Sequence, residues 1–170
     1  MQADVYQVSA SNHQNKDTLV VLKKIKQQFC SLELANYVQQ QVDQLNELNL
    51  EDTIIPIVHS PNRDTICLIQ PWFSSCTLSN WIENKESLSI GESLKIVIAI
   101  SEQLERRHKA GHIHKSIKPN NILLLHDSLE VKIIDDVRIL DINQISHFIY
   151  QDNFRCETLP YLSPEQTGRI

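Results

Sequence analysis

Gly111-His112-Ile113-His114-Lys115-Ser116-Ile117-Lys118-Pro119-Asn120-Asn121-Ile122-Leu123-Leu124 is the stretch on which the reading of this chain turns. It sets His114, Lys115, Lys118-Pro119 and Asn121 at fixed offsets, between a segment of helical spacing and an apolar strand. Upstream, Ser89-Ile90-Gly91-Glu92 matches a capping box, in which a Ser side chain and a Glu side chain satisfy orphan amides reciprocally. Leu94, Val97, Ile98 and Leu104 then place an apolar stripe on one face of a helix ending near Arg107, built to pack on a core. Downstream, Asn121 to Leu125 and Leu129 to Ile134 read as strands around a turn at His126-Asp127-Ser128.

The first part of the chain has a different rhythm. Val5 to Val8 and Thr18 to Leu22 read as short strands joined by a polar turn, Ser11 to Asp17. Leu34, Ala35, Val38, Val42, Leu45 and Leu48 fall at helical spacing, with Ser31 placed to cap the start. Thr53 to Val58 and Thr65 to Ile69 then read as a hairpin around Ser60-Pro61-Asn62-Arg63-Asp64. After Pro71 the character changes to helix. No internal repeat or low-complexity stretch interrupts this order.

Composition narrows the classes. The 170 residues are 41% hydrophobic and 22% charged, which is globular rather than disordered. A formal net charge of −5 gives no general electrostatic reason to expect nucleic acid or an anionic membrane as partner. Cys30, Cys67, Cys76 and Cys156 form no C-x-x-C pair, so reduced thiols and a cytoplasmic location are expected. No signal-peptide pattern and no bilayer-length apolar run is visible.

The Gly111–Leu124 stretch resembles the catalytic loop of protein kinases, H-R-D-x-x-x-x-N, with Lys118-Pro119 as in serine/threonine kinases. His114 stands at the loop His, Lys115 at the Arg and Asn121 at the metal-binding Asn. Ser116 stands where the family has its catalytic Asp. Val20-Val21-Leu22-Lys23 resembles the V-A-I-K strand, although a Lys ending a strand beside Lys24 and Lys26 is commonly just solvated. The Glu that pairs with that Lys in the family falls at about Gln41. Leu68-Ile69-Gln70-Pro71-Trp72 lies at the gatekeeper and hinge, where Pro71 lacks an N–H and leaves the Gln70 carbonyl and the Trp72 amide for adenine. Asp135-Asp136-Val137 stands at D-F-G, with Asp135 at the metal position. A second carboxylate, Asp136, could bind metal or be solvated, and the solvated reading is preferred. Val137, being β-branched, resists φ > 0. Ser163-Pro164-Glu165 matches A-P-E, and Thr158 falls at the substrate-binding Thr. The Ser163–Arg169 string looks like kinase modules that head large bacterial hybrid sensors and continue into an AAA-type ATPase and a histidine kinase.

The resemblance implies an α+β, two-lobed protein-kinase-like fold, truncated at both ends, with no glycine-rich loop and an incomplete C-lobe. Residues 1–70 would be a partial N-lobe and 71–170 the first half of the C-lobe. It implies ATP and magnesium as cofactors. Lys23 would meet phosphates, Ile69, Gln70 and Trp72 the adenine, Asn121 and Asp135 the metal, and Lys118 the transferring phosphate. A serine hydroxyl at 116 cannot act as a carboxylate base near neutral pH. General base catalysis is worth roughly 10²–10⁴-fold, so a loss of that order is expected. Three readings stay open: a degenerate module acting through a protein partner or other domains of a larger sensor, an active serine/threonine kinase, and a poorly folding fragment. A rival cluster, His108, His112 and His114, has H-x-x-x-H-x-H spacing for zinc, but the kinase resemblance gives two of the three structural jobs.

Overall fold

The computed structural model describes residues 3–11, 17–62, 64–84, 88–125, 128, 130–137 and 159–164. The chain divides into two compact units, Met1–Phe73 and Ser74–Ile170.

The first unit is a four-stranded antiparallel sheet with one helix. Strands β1 (Ala3–Ser11), β2 (Asp17–Ile25), β3 (Ile57–Asn62) and β4 (Thr65–Pro71) lie in the order β1-β2-β4-β3. Helix α1 (Leu32–Glu47) begins where expected, because the Ser31 hydroxyl accepts the Leu34 N–H at 3.1 Å. Its apolar stripe buries Val38, Val42 and Leu45, and the strands add Ile25, Ile66 and Leu68. The third strand starts later than the sequence predicts. Pro56 has no N–H for the ladder, so Thr53 to Pro56 stay outside the sheet while Ile54 is still buried. The strand then continues through Ser60 to Asn62, where a turn was expected.

The second unit holds a three-stranded antiparallel sheet, β5 (Ser75–Thr77), β6 (Ile122–Leu125) and β7 (Val131–Ile133), in that order. Its described residues also form two α-helices, α2 (Leu78–Glu83) and α3 (Ile90–Lys109). Strand β5 was not anticipated; it pairs Cys76 with Leu124 and leads into α2 through the Thr77 cap. The capping box at α3 forms as read, with both the Ser89 and Glu92 halves present. The core gathers Ile96, Ile122, Leu124 and Val131, with Trp81, Ala99 and Ile100 packed against them.

Three of the four residues of the apolar stripe assigned to α3 lie on the wrong side; only Leu104 is half-buried. Leu94, Val97 and Ile98 are 55–58% exposed, whereas the buried positions are Ile96, Gln103 and Arg107. Residues 96, 100, 103 and 107 also recur at helical spacing, and this second stripe wins because its two polar members find partners on β7 and beyond it. Among the described residues no helix is long and apolar enough to cross a membrane. Cys30, Cys67 and Cys76 are free thiols, while Cys156 lies outside the described residues.

Candidate functional site

The end of α3 creates the site. Gly111 takes φ +80°, which only a glycine adopts cheaply. Its N–H donates to the His108 carbonyl and the His112 N–H to the Arg107 carbonyl, both at 2.9 Å. This is the Schellman arrangement, and it folds His112 back over the last turn of the helix. Arg107 and His112 are thereby brought to one place.

That place is Asp136. Its carboxylate is fully buried, with Arg107 Nε donating to Oδ1 at 3.2 Å and Nη2 to Oδ2 at 3.4 Å. His112 Nε2 lies 3.2 Å from Oδ1 and His114 Nε2 3.8 Å from it. The expectation of a solvated Asp136 is therefore wrong: a guanidinium contributed from 29 residues upstream compensates its burial. Burial alone would raise the Asp136 pKa, but the hydrogen bond from His112, the nearby His114 and then the fork and charge of Arg107 outweigh it, and the group is held below the usual carboxylate range. The zinc reading of the histidines loses ground for the same reason. Two of them face Asp136 beside a buried cation, and among the described residues no group of three or more His, Cys, Asp or Glu side chains could hold a metal ion.

His114 is buried and neutral. Its Nε2 meets the Ile134 carbonyl at 3.0 Å, and Ser116 donates its N–H to Nδ1 at 3.3 Å. Those partners assign the proton to Nε2. Burial lowers the His114 pKa, and the nearby Arg107 charge lowers it further against the pull of Asp136.

Ser116 and Asn121 touch directly. Asn121 Nδ2 donates to the Ser116 carbonyl at 2.8 Å and to its Oγ at 3.2 Å. The 3-10 turn Pro119–Asn121 holds this contact, with Lys118 at its N-cap and the Asn121 N–H on the Lys118 carbonyl at 2.9 Å. The Asn121 carbonyl accepts the Ile134 N–H at 3.0 Å, which joins the loop to the residue before Asp135. Asp135 is half-buried with φ +68°, and Lys115 has φ +59°. Left-handed non-glycine residues are uncommon and cluster at functional sites. The left-handed position is thus Asp135; Val137 is a buried apolar residue. An amide whose nitrogen is committed to Ser116, together with a carboxylate on the adjoining segment, offers hard oxygen ligands. That donor set suits magnesium.

The remaining predicted residues belong to the first unit. Lys23 is half-buried on β2, directly across from Leu68 on β4. Ile69 pairs with Leu22 and Gln70 with Val21, and Gln70 is buried. The Trp72 amide donates to the Leu19 carbonyl at 3.3 Å, so that donor already serves the sheet. Gln41 is half-buried on α1. Thr158 and Glu165 lie outside the described residues; Ser163 and Pro164 follow a 3-10 turn, Leu159–Tyr161. Sequence reading missed the roles of Gln103, Arg107 and His112, placing Arg107 only at a helix end and His112 only in a rival zinc cluster. The signal was the polar pair four residues apart on the same helical stripe as Ile96 and Ile100.

Comparison with known proteins matches residues 3–169 to the family model described as protein kinase domain. A serine/threonine/tyrosine-protein kinase of Arabidopsis thaliana is 39% identical over 71 residues, covering 41% of this chain and 18% of the relative. A serine/threonine-protein kinase of Myxococcus xanthus is 27% identical over 158 residues, covering 88% of this chain and 29% of the relative. A protein of Clostridium perfringens described as a probable serine/threonine-protein kinase is 25% identical over 150 residues, 86% of this chain and 21% of its own length. The chain thus spans less than a third of the length of these curated relatives. The α+β content and the match together fit the expected kinase-like fold.

Proposed function

We propose that this chain, which belongs to the protein kinase domain family, is a degenerate serine/threonine kinase-like module that transfers phosphate poorly or not at all and signals through protein contacts. One observation carries this reading. At the position of the family's base, the chain presents the Ser116 hydroxyl, which accepts a hydrogen bond from Asn121. A hydroxyl is not a proton acceptor near neutral pH, and the missing base is worth roughly 10²–10⁴ in rate.

The family uses ATP and magnesium, the nucleotide supplying the phosphoryl group and the metal neutralising its charge. In this chain Asn121 and Asp135 would hold the metal, Lys118 and Lys23 would meet phosphates, and the Ile69–Trp72 stretch would meet adenine. The Trp72 amide is occupied by Leu19, which supports weak nucleotide binding. A protein partner is supported by the exposed Ile90, Leu94, Val97 and Ile98 on α3. The Ser163–Arg169 string supports other domains of a larger sensor as that partner, and the free thiols support a cytoplasmic setting.

The test is transfer from labelled ATP to a protein substrate. Wild type is expected to be inactive, and Ser116→Asp to gain activity. Robust wild-type transfer abolished by Lys23→Ala would establish an active kinase and remove this reading.

A further inference from the structure

Among the described residues strand β7 is paired on one side only, with β6. The Leu125 N–H donates to the Glu130 carbonyl and the Ile134 N–H to the Asn121 carbonyl, so the main chain of residues 130, 132 and 134 is aimed at β6. By strand alternation the main-chain groups of Val131 and Ile133 are aimed the other way, where no strand of the described residues lies. Both residues are buried, and buried backbone groups need partners. Gln103 of α3 supplies them. Its Nε2 donates to the Val131 carbonyl at 2.7 Å, and its Oε1 accepts the Ile133 N–H at 3.3 Å. A carboxamide carries a donor and an acceptor side by side, so one side chain stands in for a neighbouring strand.

One helical turn on, Arg107 grips the other end of the segment through both Asp136 oxygens. It is tied to Gln103 as well, since Nη1 donates to the Gln103 carbonyl at 3.1 Å. Between the two grips the Ile134 N–H is held by Asn121 and its carbonyl by His114. Asp135 therefore sits between fixed neighbours. A left-handed non-glycine residue persists only where its surroundings over-determine it, and these bonds meet that requirement.

We propose that Gln103 and Arg107 are positioning residues for Asp135, holding the 131–136 segment from α3 so that the carboxylate has one orientation before any ligand arrives. The proposal rests on the reading of Asp135 as a metal ligand.

Two measurements on the full chain test it: amide hydrogen exchange without ligand, and Mn²⁺ uptake in the presence of ATP, followed by water-proton relaxation. Gln103→Met is expected to speed exchange at Ile133 and Ile134 about tenfold, the factor expected for one buried bond lost, with α1 amides unchanged. It is also expected to weaken Mn²⁺–ATP uptake. Arg107→Lys keeps the buried charge and loses the fork; it should loosen Asp136 and weaken uptake in the same direction, and it serves if Gln103→Met does not fold. Faster exchange with unchanged uptake in the folded variants would make these residues merely structural and overturn the proposal, as would unchanged exchange. The underlying reading is checked separately. If Asp135→Asn leaves wild-type Mn²⁺–ATP uptake intact, or if wild type shows none, Asp135 is no ligand, and the positioning role falls with it whatever the exchange shows.

Discussion

The two units bury different chemistry. In the first, Ile25, Val38, Val42, Leu45, Ile66 and Leu68 are buried, with Gln70 the one buried polar side chain among its described residues. In the second, Ile96, Ile122, Leu124, Val131 and Ile133 share the interior with Gln103, Arg107, His114, Asn121 and Asp136. Apolar burial is non-directional, so the first core tolerates repacking at modest cost. Buried polar groups are stabilising only when every partner is in place. The second core is thus the more specified and the more easily broken, and it is the one that carries the catalytic-loop residues.

The sharpest way to break the contrast is Arg107→Ala, which strands the Asp136 carboxylate. Removing one partner of a buried pair costs about 3–5 kcal/mol, enough to abolish cooperative folding of a marginal domain. The double variant Arg107→Met/Asp136→Leu should recover most of that loss in urea melts, because well-packed apolar replacements of buried pairs are commonly neutral or stabilising. A double variant as unstable as Arg107→Ala would mean the fork does more than neutralise charge.

In the first unit the counterpart is Ile66→Ala, at a side chain 1% exposed. The expected loss is about 2–5 kcal/mol from transfer and cavity terms. It should be independent of pH between 5 and 8. A pH-dependent loss would show that the apolar core is coupled to a titrating group.

His114 supplies the pH-dependent arm. Its pKa is lowered by burial, so below about pH 6.5 the unfolded chain takes up a proton that the native state refuses. Stability should therefore fall as pH drops below that value, with a slope of at most about 1.4 kcal/mol per pH unit for one proton. The loss ends at the folded pKa. Protonation at Nδ1 would also face the Ser116 N–H that now donates to it. His114→Gln should remove this slope. Asp136 acts in a lower window: its folded pKa is depressed, so its contribution is complete above about pH 4 and is lost as pH falls through the folded value. A single transition near pH 4, with no change between about pH 6.5 and that transition, would contradict the neutral His114.

What could be read from sequence follows from how far apart the interacting groups lie. The caps at Ser31 and Ser89 act over three residues and were legible. Most of the order of strands and helices was legible too, because local periodicity carries it; the three-residue strand β5 was not, being too short to show a period. The buried face of α3 was not. Two stripes compete there, and the deciding bonds run from Gln103 to Val131 and from Arg107 to Asp136, 28 and 29 residues apart. Asp136 was misread for the same reason: nothing near it in sequence announces a buried cation. The catalytic-loop motif put Ser116 and Asn121 on one loop, five residues apart; their contact was not foreseen but is short-range. The Trp72 amide is a different case, since its bond to the Leu19 carbonyl depends on how β4 continues past Pro71 beside β2.

The smallest expected effect compares the two caps, one in each unit. Ser31 is a simple cap, its hydroxyl accepting the Leu34 N–H at 3.1 Å. Ser89 belongs to a reciprocal box: its Oγ accepts the Glu92 N–H at 3.2 Å, while Glu92 Oε2 accepts the Ser89 N–H at 2.8 Å. Ser31→Ala and Ser89→Ala should each cost about 1 kcal/mol. The second should be no worse than the first, because the Glu92 half of the box survives. Glu92 is held below the usual carboxylate range by the Ser89 hydroxyl and then by the Ser89 N–H. A depressed carboxylate contributes above its unfolded pKa and loses that contribution as pH falls through the folded one. The α3 cap should therefore weaken below about pH 4 through Glu92, whereas the Ser31 hydroxyl of the α1 cap does not itself titrate. Amide exchange at Leu34 and Glu92 reads each cap in its own helix. A Ser89→Ala loss well beyond that of Ser31→Ala would show that the start of α3 is tied into the second core, against the local character assigned to it.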